Sequence, residues 1–230
     1  MNRPSAVHPH FPRFAQAITA FLCLEALAFD TWTVVPVALA LVLLNLALPA
    51  ASPVAWLFRL LARPPSTMEP AAPVRFSQWI AATLLAAAVV LFALGVETAA
   101  WVLAGLVGGV ALISAVTGFC IGCEVYRLLL LRRRAVDDLR RELGLPGDGP
   151  WLVVLTAPGC ARCEPVAREL ERAAGGRQVV RVNIAQNPRA AGLPVRSVPA
   201  ALAVGRGGDL RVVRAGRLGD EDLKAVLAAV

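Results

Sequence analysis

Two Cys-x-x-Cys pairs stand out, Cys120/Cys123 within GFCIGCE and Cys160/Cys163 within PGCARCE. Thiols at this spacing can pass two electrons by disulfide exchange or hold a soft metal such as zinc or copper, and few other chemistries require it. A fifth cysteine, Cys23, is embedded among Phe21, Leu22 and Leu24 and reads as a small buried hydrophobe. The pairs lie at either end of the joint between an oily half and a charged half, so the sulfurs are where chemistry is sought.

The residues around the second pair position it well. Residues 151–155 form a compact apolar run suited to a buried strand, followed by the turn TAPG, then CARC, then the helical pattern EPVARELERAA. That order puts Cys160 at a helix amino terminus, where unpaired amides and the helix dipole favour a thiolate, and Cys163 further in and less exposed. Cys160 is therefore expected to attack and Cys163 to resolve. Residues 178–184 read as the next strand. Ser197, Val198 and Pro199 precede a third, at 200–204, a turn at 205–209 leads to a fourth at 210–213, and 220–230 form a final helix with Leu223, Val226 and Leu227 inward.

The elements that carry the first pair are of another kind. Four apolar stretches, at about 14–29, 32–48, 76–94 and 98–119, read as transmembrane helices in two hairpins, one turning at Asp30 and Thr31, the other around Gly95 and Glu97. A connection containing Pro64, Pro65, Pro70 and Pro73 joins them. The first stretch competes with a signal peptide, but it lacks a strong small-residue cleavage site and a second stretch follows at once, so it reads as an uncleaved span.

The chain has 23 basic and 16 acidic residues, with Lys224 its only lysine. Arg3 and Arg13 precede the first span, Arg59, Arg63 and Arg75 flank the middle connection, and Arg127, Arg132, Arg133 and Arg134 follow the fourth, whereas neither hairpin turn holds a basic residue. This one-sided charge suits lipid headgroups and accompanies no nucleic-acid motif. It predicts a multi-pass cell-membrane protein with its amino terminus, its middle connection and the soluble half in the cytoplasm. In that reducing compartment paired thiols are catalytic or metal-binding rather than structural.

Cys120 and Cys123 are expected on one face at the carboxyl end of the fourth span if the helix continues through them, where the dipole disfavours a thiolate and nearby arginines favour one. Redox, metal and structural roles all stay open for this pair. Glu25 and Asn45 are costly polar residues within spans and read as structural, Glu25 reaching the interface. Gly105, Gly108 and Gly109 read as permitting close helix contact.

The strings HPHFPRFAQA, SPVAWLFRLLARP, PVRFSQWIA and GFCIGCEVY, over residues 8–130, resemble a bacterial membrane domain of unknown function, number 4395. That resemblance implies an integral membrane protein with a Cys pair ending its last helix, and no settled activity. Residues 146–230 are similar to the thioredoxin fold. This second resemblance implies that Cys160 and Cys163 are the redox pair, that Pro199 is the cis-proline facing it, and that Val198 offers its backbone to an extended substrate, with Gly216 near the glycine that precedes the last helix. The segment is short for that family, whose first strand and helix are lacking or replaced by 132–143. Gly159 stands where an aromatic is common and Val154 where a buried acid is common, so no side chain is expected to take the resolving thiol's proton. The cation of Arg162 should favour a thiolate and a more oxidising pair.

The sequence thus predicts a multi-domain chain: an all-α four-helix transmembrane domain (1–130), a linker (131–149) and an α/β thioredoxin-like domain (150–230). The expected function is a membrane-anchored thiol-disulfide oxidoreductase acting on protein or small-molecule disulfides or dithiols, with no cofactor and no dedicated metal site, in which Cys160/Cys163 exchange electrons with Cys120/Cys123. Competing classes are a soft-metal module or metallochaperone, with CIGC and CARC supplying four thiolates, and a membrane scaffold whose soluble half only binds partners.

Overall fold

The computed structural model describes residues 6–49, 51–63, 65–133, 139–187, 190, 193, 195–216 and 218–230. Arg3, Pro64, Arg134 and the side chains of Arg127, Arg132 and Arg133 lie outside the described residues. The chain forms two compact units. One comprises His10–Arg63 and Pro73–Tyr126; the other comprises Met1–Pro9, Pro64–Ala72 and Arg127–Val230.

In the first unit, α1 (Phe11–Ala28) opens with Pro12 in its first turn, where a missing amide costs nothing. The turn that follows bends through Asp30, whose φ is 51°, into α2 (Val34–Ala47). A short helix, α3 (Pro53–Leu61), not expected from the sequence, occupies the start of the middle connection and likewise begins on proline. Two long apolar helices follow, α4 (Ala71–Ala93) and α5 (Glu97–Thr117), turning at Gly95.

Among the described residues α1, α4 and α5 are long and apolar enough to cross a membrane. The 14 residues of α2 rise only about 21 Å, short of the ~30 Å of a bilayer's apolar layer. Large apolar side chains face outward on these helices, among them Phe21 (66% exposed), Val102 (63%) and Val116 (75%), as a lipid-facing surface requires. Inside, Cys23, Val35, Leu85 and Ala104 belong to one buried cluster. Gly108 brings α5 against α1, since a Cβ there would stand 2.9 Å from Cys23 Cβ, and Gly105 faces Leu27. Gly109 faces open space and takes no part in that contact.

The helix α5, expected as a fourth span, does not run on through the first Cys pair. It ends at Thr117, Gly118 takes a left-handed φ of 73°, and a new helix, α6 (Ile121–Arg133), begins immediately after Cys120. The condition of a continuous helix is therefore not met. Glycine permits the reversal because other residues pay a steric penalty at that φ.

The second unit is built on a four-stranded sheet ordered β4 (Val179–Asn183), β3 (Trp151–Thr156), β5 (Ala200–Val204), β6 (Leu210–Ala215). The β3–β4 pair is parallel, and β5 runs antiparallel to both β3 and β6. Its parallel pair is joined by α8 (Cys163–Ala173), the crossover such a pair needs. From Trp151 to Leu155 the strand β3 is apolar and buried, as a strand covered on both faces is. Trp151, Val153 and Leu155 share a cluster with Leu139 and Leu143 of α7 (Leu139–Leu143), whereas Leu152 and Val154 share one with Val166 and Leu170 of α8 and with Leu223 and Val226 of α9 (Asp220–Ala228). The stretch 132–143, which stands where the thioredoxin family's first strand and helix were expected to be lacking or replaced, holds the end of α6 and α7, with 134–138 outside the described residues. Two short strands, β1 (Ala6–Val7) and β2 (Glu69–Pro70), pair antiparallel within this unit.

Candidate functional site

The turn after β3 carries Gly159 at φ 79°, then Cys160, and α8 starts at Cys163. The two sulfurs are joined as a disulfide, with their Cα atoms 5.5 Å apart. Cys163 is 4% exposed, whereas Cys160 is half-buried at the edge of the core. The asymmetry follows from position: Cys163 is on the inner face of an amphipathic helix with Val166, Ala167 and Leu170, while Cys160 precedes the helix.

The Val198–Pro199 peptide is cis, and β5 starts at the next residue. Behind it the Gly216 amide donates to the Pro199 carbonyl at 2.9 Å. In front, the Val198 carbonyl stands 3.8 Å from Cys160 Sγ.

A segment of the inter-hairpin connection lies along this edge. Met68 N–H donates to Val198 O at 3.0 Å and Val198 N–H donates to Met68 O at 2.8 Å, an isolated antiparallel bridge. Ala161 N–H donates to Pro65 O at 3.5 Å, and the Ser66 carbonyl stands 3.7 Å from Cys160 Sγ. Backbone groups of 65–68 therefore lie beside the disulfide, along the backbone edge of Val198 that Met68 occupies. Proline at 65 and 70 explains the extended shape, since each fixes φ and disfavours helix in the residue before it.

Electrostatics outside this edge are dominated by one cluster. Arg181 on β4 bonds Glu171 at 2.6 Å and Glu164 at 2.9 Å, and Arg168 bonds Glu164 at 2.8 Å. The hydrogen bond from Arg168, with the charge of Arg181, holds the Glu164 carboxyl below its ordinary range, and the hydrogen bond from Arg181 does the same for Glu171. Glu164, the residue after Cys163, is thus committed as an anion to two guanidiniums. Val154, on the strand below, is fully buried and apolar.

The first pair repeats the local design. Cys120 and Cys123 also form a disulfide, with Cα atoms 5.2 Å apart. Cys120 stands at the amino end of α6, and Cys123 N–H points to Cys120 Sγ at 3.2 Å. The helix dipole there has its positive end toward the sulfur, the reverse of the sequence expectation, because Gly118 has ended the previous helix. The Arg13 guanidinium lies directly against Gly118, and Gln16 Nε2 of α1 reaches Cys120 Sγ at 3.8 Å. Gly122 lets α6 approach Ser77 of α4, where a Cβ would meet the Ser77 side chain at 2.8 Å. Cys123 is 7% exposed.

Among the described residues no three of His, Cys, Asp and Glu form a group suited to a metal ion. Sequence reasoning missed Pro65, Ser66 and Met68 beside the second pair and Arg13 and Gln16 beside the first. The proline spacing signalled extended backbone at the former, but only the fold supplies its partner.

Long apolar helices with two Cys pairs at disulfide distance define a membrane protein carrying redox-capable thiols. A family model described as "Domain of unknown function (DUF4395)" matches residues 7–131, more than half of the 230-residue chain, and the chain belongs to that family. No curated protein matches it.

Proposed function

We propose that the protein is a membrane-anchored thiol-disulfide oxidoreductase whose residues 150–230 form a thioredoxin-like domain with Cys160 and Cys163 as its working pair. One observation carries this reading: the residue before cis-Pro199 offers both backbone groups to an extended strand, here Met68, within reach of the Cys160 sulfur. An edge that pairs with any extended backbone beside a disulfide is what a protein-disulfide substrate needs.

In the reduced protein the Cys160 thiolate attacks one sulfur of a substrate disulfide. A Cys160–substrate bond forms, the substrate S–S bond breaks, and the other substrate sulfur leaves as a thiolate. Cys163 then attacks the Cys160 sulfur, closing the Cys160–Cys163 bond and releasing the second substrate thiol, so two electrons have moved to the substrate. With Val154 apolar and Glu164 made a weaker base by Arg168 and Arg181, the Cys163 proton goes to water or another group. The reverse sequence starts from the disulfide.

The soluble unit is proposed to lie in the cytoplasm, from the one-sided arginine distribution, and Cys120/Cys123 to be its intramolecular exchange partner. A Cys163→Ser variant tests both levels. It should accumulate a mixed disulfide between Cys160 and an offered extended peptide disulfide, and, without peptide, a bond from Cys160 to Cys120 or Cys123. Failure to trap the peptide removes the oxidoreductase reading; failure of the second bond alone, at several redox poises, removes only the relay. Labelling introduced surface cysteines with an impermeant thiol reagent in whole cells tests the sidedness.

A further inference from the structure

The first unit contains a cavity of about 260 Å³ beside the Cys120–Cys123 disulfide. Its walls are mainly apolar, but six polar residues from four helices converge on it: Gln16 and Thr19 of α1, Asn45 of α2, Ser77 and Gln78 of α4, and Ser114 of α5. Polar side chains are costly in an apolar bundle and concentrate where something polar is handled. Asn45 is 6% exposed, and its Oδ1 has no hydrogen-bond partner among the described residues. A buried acceptor with no protein partner is favourably met by a ligand that can donate a hydrogen bond to it.

The cavity borders the turn between the two cysteines, although neither cysteine is part of its lining. Ile121 and Gly122, the two residues between the cysteines, line it, and so does Gln16, whose amide nitrogen stands 3.8 Å from Cys120 Sγ. A ligand held here therefore lies against the α6 turn that carries the disulfide.

From this we infer that the cavity is a binding site for a membrane-soluble quinone, which oxidises the Cys120/Cys123 dithiol. The inference rests on the redox reading of that pair and adds to it a co-substrate that the sequence did not suggest. Three features select the class. A quinone is apolar, so it reaches a site among lipid-facing helices. It takes two electrons and two protons, as many as a dithiol releases. Its polar atoms are two carbonyls that become hydroxyls, so they accept hydrogen bonds when oxidised and donate them when reduced; the carboxamides of Gln16, Asn45 and Gln78 offer a donor and an acceptor each and suit both forms. A lipid acyl chain would have no use for these amides.

In the step, both S–H bonds of Cys120 and Cys123 break, the S–S bond forms, and two electrons and two protons pass to the quinone, whose carbonyl oxygens each gain an O–H bond. The products are the disulfide and the quinol. Arg13, against Gly118, and the amino end of α6 favour the thiolate that starts the reaction.

The test uses the full chain in nanodiscs of quinone-free lipid, with Cys160→Ser and Cys163→Ser so that only the membrane pair cycles. The reduced protein is mixed anaerobically with decylubiquinone, whose fully substituted ring resists thiol addition, and both quinone absorbance and free thiols are followed. Expected are one quinol per chain, loss of both thiols, a rate that saturates with quinone, and at least a tenfold lower rate in Asn45→Leu. Because Asn45→Leu disturbs a buried site, Leu84→Trp, which fills the cavity from its half-buried wall, serves as the second variant and should fall similarly. A pair that cycles with dithiothreitol and diamide but not with decylubiquinone would overturn the inference and leave the redox reading standing. So would a rate linear in quinone and indifferent to both variants. A pair that dithiothreitol cannot reduce would end the redox reading of Cys120/Cys123 as well.

Discussion

Met68 and Val198, 130 positions apart in the chain, exchange both of their backbone hydrogen bonds, at 3.0 and 2.8 Å, one residue before a cis-proline and with the Val198 carbonyl 3.8 Å from Cys160 Sγ. The backbone edge beside Cys160 is thus paired with the protein's own inter-hairpin segment. Access to the disulfide from that side requires the segment to leave or the incoming chain to compete with it.

Met68→Pro removes the amide that donates to Val198 O while keeping an extended backbone. One net hydrogen bond is worth about 1 kcal/mol, or roughly fivefold in an equilibrium. Reduction of the Cys160–Cys163 disulfide by a soluble phosphine should therefore be about fivefold faster in the variant, read as the rate of thiol appearance at Cys160 by alkylation and mass spectrometry. An unchanged rate would mean that the segment does not screen the sulfurs.

The helix contact at Gly108 gives a paired prediction. A Cβ at Gly108 would stand 2.9 Å from Cys23 Cβ, whereas at Gly109 it meets nothing within 4 Å. Gly108→Leu should destabilise the helical unit by about 1–3 kcal/mol, the usual cost of overpacking, and Gly109→Ala should leave it unchanged or slightly more stable. Thermal unfolding in detergent, followed by exposure of the otherwise buried Cys23 to a thiol-reactive dye, separates the two.

How much of this was legible in the sequence varies with the range of the interaction. The strand Ala200–Val204 keeps its expected bounds and Trp151–Thr156 extends its by one residue, because their apolar runs are bounded by Pro, Gly and polar residues. The order of CARC, Val198 and Pro199 was readable for the same reason. The end of α5 was harder: Gly118 and Gly122 looked alike, yet one reverses the backbone and the other only makes room for Ser77, a difference set by neighbours rather than by composition. The bridge between Met68 and Val198 was invisible, since pairing over so long a separation leaves no local pattern. Asn45 was visible as an oddity in an apolar run, but its unpaired oxygen and the cavity beside it exist only after four helices assemble.

The Arg181 cluster predicts an acid limb. Glu164 and Glu171 have carboxyl groups held below their ordinary 4.5 by Arg168 and Arg181. Groups with lowered folded values contribute stability above the unfolded pKa and lose it as pH falls through the folded one. Amide exchange in the α8 and β4 peptides of the full chain should therefore accelerate, relative to β5, as pH is lowered from about 5 toward 3. Arg181→Gln should flatten that difference; the same acid acceleration in the variant would refute the assignment.

The two pairs should show the same order of thiol reactivity for the same structural cause. In each, a left-handed glycine, Gly118 or Gly159, lies in the turn before the pair, the first cysteine sits ahead of a new helix, and the second is turned into the core, 7% exposed for Cys123 and 4% for Cys163. A thiol ahead of a helix meets unpaired amides and solvent, while a thiol in the core meets neither, and alkylation needs both ionisation and access. In the fully reduced chain, limiting iodoacetamide should label Cys120 ahead of Cys123 and Cys160 ahead of Cys163, each by about tenfold or more. Gly118→Ala should weaken the preference at the first pair alone, because the φ of 73° would be strained and the Arg13 guanidinium would have to move aside, loosening the turn that sets Cys120 before α6. If the preference at Cys120 survives that substitution undiminished, the helix break is not what activates the pair.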